Sequence, residues 1–141
     1  MFNYDSHFYY DNGLKIYVEQ ELLDYYFWHI RKATYNCLKL QKPAYGGHIS
    51  VILPNIHGEE KSESSKKYIG ERVSFSYDNE IIQGGSAKGF KNFFVKVECQ
   101  RANQIKEELK IVEEGFLGLH FTICSNKSEI KNKTLDIQPK T

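Results

Sequence analysis

Two short stretches limit most sharply what this chain can fold into: GGHISVIL at 46–53 and GLHFTIC at 118–124. In each, apolar residues alternate with polar ones, and period-two alternation is the mark of a half-buried β-strand. On such a strand His48 and Ser50 share one face, while Ile49, Val51 and Leu53 point the other way into a core. His120 and Thr122 likewise share a face, opposed by Leu119, Phe121 and Ile123. Each strand therefore presents an imidazole and a hydroxyl as neighbours, on a segment whose other face must be buried.

The remaining segments arrange themselves around these two. GLKIYVE (13–19) is rich in β-formers and predicts a strand after a short polar start. Leu23, Phe27, Ile30 and Leu38 predict a helix over about 20–38, broken before Pro43. NIHGEEKSESSKK reads as an exposed polar connection. ERVSFSYD and FFVKVEC read as two strands flanking a Gly-rich turn within NEIIQGGSAKGFKN. QRANQIKEELKIV predicts a second helix, amphipathic through Ala102, Ile105, Leu109 and Val112. A polar tail follows from about 125 to 141. The order is strand, helix, His-x-Ser strand, then strands, helix, His-x-Thr strand. It predicts a single α+β domain over 1–141 with one motif in each half.

Composition narrows the function classes. The 141 residues are 40% hydrophobic, enough for one core. Nineteen basic residues against eighteen acidic ones leave a formal charge of +1, which is not the footprint of a duplex-DNA binder. Three cysteines without CxxC spacing offer neither a disulfide framework nor a zinc cluster, so no metal or cofactor is expected. With no signal-peptide pattern and no apolar run of membrane-spanning length, the chain reads as soluble and cytoplasmic.

Two imidazoles and two hydroxyls around one pocket suit phosphodiester cleavage without a metal. Free imidazole titrates near pH ~6.5, so one ring can act as base while the other, protonated, acts as acid. The hydroxyls can donate to the non-bridging oxygens, where transition-state charge collects. A single histidine in a strand is an ordinary core or surface residue. Two copies, each centred in an apolar strand and in equivalent halves, are what give the pattern its weight.

The paired pattern resembles the two-histidine (2H) phosphoesterase superfamily, marked by two copies of apolar-His-x-Thr/Ser-x-apolar. Within it, the short length and the opening GLKIYVE…DYYFWHIRKATY…AYGGHISV resemble the phage anti-CBASS phosphodiesterases, which degrade cyclic oligonucleotide signals of bacterial immunity. The resemblance implies a two-lobed 2H-phosphoesterase-like fold, each lobe a small antiparallel sheet with helix packing, and a catalytic cleft between the lobes. It implies His48, Ser50, His120 and Thr122 as the catalytic set, a base-contacting tyrosine at Tyr17, and a cyclic di- or trinucleotide as substrate. Ser50 departs from the commoner threonine, keeping the hydroxyl without the methyl that restricts its rotamer. An RNA 2′,3′-cyclic phosphodiesterase and a non-catalytic nucleotide sponge are the competing expectations. His7, near the N-terminus, His29, beside Trp28 in the first helix, and His57, in the polar connection, read as structural or surface residues. GGSAKG (84–89) lacks the full phosphate-loop spacing, and Lys61, Lys66 and Lys67 read as a solvated loop.

Overall fold

The computed structural model describes residues 2–33, 40, 42, 46–85, 91–111 and 118–125. The strands are β1 (Phe2–Tyr10), β2 (Leu14–Val18), β3 (Gly47–Ile52), β4 (Arg72–Tyr77), β5 (Ile82–Gly85), β6 (Lys91–Glu98) and β7 (His120–Ser125). They make one sheet in the order β4-β1-β2-β3-β7-β6-β5, and a further β4–β6 pairing closes six of them into an antiparallel barrel. The helices are α1 (Gln20–Ala33), α2 (Pro54–His57), α3 (Glu59–Ser64), a 3-10 turn at Ser65–Tyr68, and α4 (Gln100–Glu108).

This corrects the two-lobed α+β expectation of separate sheets with a cleft between them: the strands close into a single barrel. The reason lies in β1, which the sequence reading passed over as a polar start. Its first part pairs with β4, from Phe2↔Tyr77 to His7↔Arg72, and its last part pairs with β2, from Phe8↔Ile16 to Tyr10↔Leu14. One nine-residue strand thus joins what would otherwise be two sheet edges.

The chain falls into two compact units, and the boundary passes through β6 and β7. The first comprises Met1–Val18, His48–Glu80 and Val95–Phe121. Its inner face carries Phe8, Ile16, Val51, Phe75, Val97 and Phe121, all buried. Tyr77 of β4 meets Phe121 of β7 edge-on at 5.8 Å, across the strand that separates them, which marks this face as the concave one. Removing such side chains from water contributes roughly 1.5–3 kcal/mol each.

The second unit holds Glu19–Gly47, Ile81–Phe94 and the chain from Thr122. Helix α1 buries Leu23, Tyr26 and Ile30 at helical spacing, and an Asp24–Lys42 ion pair of 2.7 Å lies on its exposed side. Residues 34–38 of the expected helix lie outside the described residues, as do Val112, most of GGSAKG, and the tail beyond Ser125. Strand β5 stands where only a Gly-rich turn was expected, pairing with β6 from Ile82↔Phe94 to Gly85↔Lys91.

The expected loop after β3 is helical instead. Pro54 stands in the first turn of α2, where its missing N–H costs no hydrogen bond. Ser62 and Ser65 are buried, and the Tyr10 and Ser62 hydroxyls meet at 2.8 Å, tying this segment to β1.

Asp11, Asn12 and Gly13 make the β1–β2 turn, with positive φ at Asn12 (53°) and Gly13 (139°). A Cβ at position 13 would overlap the Ile52 carbonyl oxygen, so this glycine is required both by its dihedral and by the approach of β3. Gly13→Ala should therefore destabilise the fold by about 2 kcal/mol or more, read as a lower urea midpoint at unchanged slope. An unchanged midpoint would mean that β2 and β3 do not approach in this way.

Candidate functional site

The two motifs meet because β3 and β7 are neighbours. Their antiparallel register pairs Ile49 with Phe121, both fully buried on the inner face. Directly opposed residues share a face, so the residues on either side of this pair turn outward. Ser50 therefore lies across from His120, and His48 is the diagonal neighbour of His120, about 7–8 Å away. Thr122 follows on β7, two residues past His120 and on its face. All four side chains are half-buried, whereas Val51 and Ile123 beside them are fully buried.

The sequence thus placed each imidazole and hydroxyl on the correct face of its strand. The setting differs from the expected cleft: His48, Ser50 and His120 lie on the outer face of a closed sheet.

His120 is oriented by its own strand entry. Its Nδ1 lies 2.9 Å from the Gly118 carbonyl oxygen, which can only accept, so Nδ1 donates and in the neutral ring Nε2 carries no proton. Gly118 has φ of 92°, a left-handed conformation that turns its carbonyl back toward the ring. Gly46 stands at the same offset before His48, with φ of 77°. The repeat is therefore Gly-x-His-x-Ser/Thr, with the glycine part of the geometry.

Tyr17 lies on the outer face of β2, between the buried Ile16 and Val18, and is 42% exposed. Gly13, in the turn just before β2, approaches the Ile52 carbonyl at the end of β3, and the two neighbouring strands run antiparallel. Tyr17, near the end of β2, accordingly falls beside the start of β3, where His48 stands. On its other side Tyr17 stacks on His7, with ring centroids 5.6 Å apart and planes at 21°. His7, set aside in the sequence as a terminal residue, is thus part of this face. Burial, followed by Asp11 and Tyr17, raises the pKa of the neighbouring Tyr9 hydroxyl.

Lys15 also occupies this face, one strand position pair before Tyr17 and opposite Tyr9. The sequence signal for His7, Tyr9, Lys15 and Tyr17 was the Asp-Asn-Gly turn, which implies a hairpin and aligns the four.

The other histidines have structural partners. His29 packs edge-on against Tyr25 at 4.6 Å, and His57 Nδ1 accepts the Leu53 N–H at 2.9 Å, closing the first turn of α2. Among the described residues no group of three or more His, Cys, Asp or Glu could hold a metal ion, and no helix is long and apolar enough to cross a membrane. A cavity of about 420 Å³ near the start of α4, bordered by Cys99, Asn103 and Lys106, carries neither motif histidine. Cys99 and Cys124 are buried free thiols, and burial pushes Cys124 up to about 12.

No protein-family model, curated protein or solved structure matches the chain.

The Gly118 contact fixes a measurable property. In long-range ¹H–¹⁵N spectra the neutral His120 ring should be the Nδ1–H tautomer. An Nε2–H pattern would show that the carbonyl does not hold the ring.

Proposed function

We propose that this chain is a phosphodiesterase that cleaves 3′–5′ bonds of cyclic di- or trinucleotides by 2′-hydroxyl attack, without requiring a metal ion. The observation that carries the reading is the Ile49↔Phe121 register, which brings two imidazoles and a hydroxyl onto one face. Two histidines on a diagonal leave room for a phosphoryl group between them, with each ring able to reach one apical oxygen. One histidine takes the proton of the ribose 2′-hydroxyl as that oxygen bonds to phosphorus. The bond from phosphorus to the 5′-oxygen breaks, and the other histidine protonates the departing oxygen. The product carries a 2′,3′-cyclic phosphate and a 5′-hydroxyl. Ser50 donates to a non-bridging oxygen.

Tyr17, exposed on the same face beside β3, supports a nucleotide substrate, because an aromatic ring can stack on any base. The near-neutral composition favours a small anionic ligand over a long RNA. Destruction of the cyclic nucleotide signals of bacterial CBASS defence, in the host cytoplasm, is the biological role consistent with this chemistry and with the resemblance of the motifs. The barrel gives that resemblance no support from the fold, so the proposal rests on the paired side chains.

His48→Ala and His120→Ala should each lower turnover of cyclic dinucleotides by about a hundredfold or more, with folding preserved. The wild-type rate should persist in excess EDTA. Full activity in either variant would overturn the two-histidine mechanism. Preference for linear ends bearing a 2′,3′-cyclic phosphate would favour RNA-end processing instead.

A further inference from the structure

Beyond the paired motifs, the outer face of β2 supplies a cation that takes no part in the proton transfers. Ser50 and Thr122 can donate hydrogen bonds to a phosphate, but they leave its negative charge unmatched. Lys15 and Tyr17 are the two outward residues of β2, between the inward Leu14, Ile16 and Val18. With Gly13 against Ile52 and the strands antiparallel, the outward residues of β2 run alongside those of β3 in reverse order. Extended along two antiparallel neighbours, the Gly13–Ile52 approach aligns Tyr17 with His48 and Lys15 with Ser50. Ser50 is in turn opposite His120 across the next strand. A lysine, a serine and a histidine thus form a row across three neighbouring strands, each about 4.8 Å from the next.

We propose that Lys15 is the phosphate-binding cation of this site, meeting a non-bridging oxygen of the phosphate held between His48 and His120. The inference deepens the phosphodiesterase reading and rests on it for the identity of the ligand. Its geometry suits one nucleotide. Lys15 and Tyr17 lie two residues apart on one strand face, about 7 Å along it, a reach comparable to that from a nucleotide's phosphate to its base. Lys15 would hold the phosphate while Tyr17, backed by the stacked His7 ring, takes the base. Lysine suits the task because its ammonium group carries a compact charge on a flexible stem and needs no fixed fork geometry. Its half-buried position on the strand strengthens the attraction relative to a fully solvated lysine.

The test uses the wild-type chain and 2′-deoxy cyclic di-AMP, which lacks the attacking hydroxyl and so reports binding apart from turnover. Calorimetry at about 20 mM and about 500 mM salt compares the parent with Lys15→Gln, Lys15→Arg and Lys67→Gln. Lys67 lies over the Tyr68 ring and controls for the loss of one charge. Lys15→Gln should raise Kd by about tenfold at low salt, and the gap should narrow at high salt as screening removes the charge term. Lys15→Arg should stay near the parent, and Lys67→Gln within about twofold of it. Parent-like binding by Lys15→Gln at low salt would overturn the assignment. So would an equal loss at both salt concentrations, or no binding by the parent. A parent that binds this ligand but never cleaves the ribose form would instead sink the phosphodiesterase reading and leave the lysine assignment standing.

Discussion

The pairing of Ile49 with Phe121 is the contact on which the rest depends. It joins β3 to β7, and both side chains are fully buried. Because strand faces alternate, a slip of one residue would send His48 and Ser50, or His120 and Thr122, into the apolar interior. It would also expose a large apolar side chain in their place. Burying an unpaired polar group costs roughly 1–3 kcal/mol, and losing the burial of an Ile or Phe costs roughly 1.5–3 kcal/mol. The core thus fixes the register, and the register fixes which polar groups face one another. The polar set on the outer face is specified by packing on the inner one.

Mounting the groups on paired strands has a further consequence. Strand positions inside a hydrogen-bonded sheet are held more tightly than loop positions, and acid–base chemistry depends on such placement. The glycine two residues before His120 adds control over the orientation of its ring. For His120 the Gly118 carbonyl selects the Nδ1–H tautomer of the neutral ring. Half-burial leaves the imidazoles accessible while the barrel supplies a rigid floor beneath them. Tyr17, with His7 behind it, extends the same face by one strand on the β2 side.

The parts of this arrangement written in local pattern were legible in the sequence. Alternation in GHISVI, LKIYV, RVSFSY and HFTICS marked β3, β2, β4 and β7, and it placed each motif residue on the correct face. What decided the architecture was not local. Nothing in 46–53 or 118–124 says that the two segments are neighbours in one barrel, because pairing depends on which edges the other strands leave open. Strand β1 escaped notice because its inward row reads Phe2, Tyr4, Ser6, Phe8, while its outward row also carries rings, at His7 and Tyr9. With rings on both faces, the apolar–polar contrast that marks a half-buried strand is weak. Without that strand the chain reads as two halves, which is the two-lobed expectation. The segment 54–68 misled for a different reason: its helices are too short for a periodic apolar face, and they bury serines and a single tyrosine.

The central claim is that two strand-mounted imidazoles serve a reaction in which a ribose hydroxyl attacks its own phosphodiester. Phosphorus NMR of a cyclic dinucleotide incubated with the wild-type chain tests it most directly. The account predicts a new resonance characteristic of a 2′,3′-cyclic phosphate, appearing as the 3′–5′ diester signal declines. The 2′-deoxy ligand should show no change. Cleavage of the deoxy ligand at a comparable rate, or a linear monoester as the first product, would contradict it.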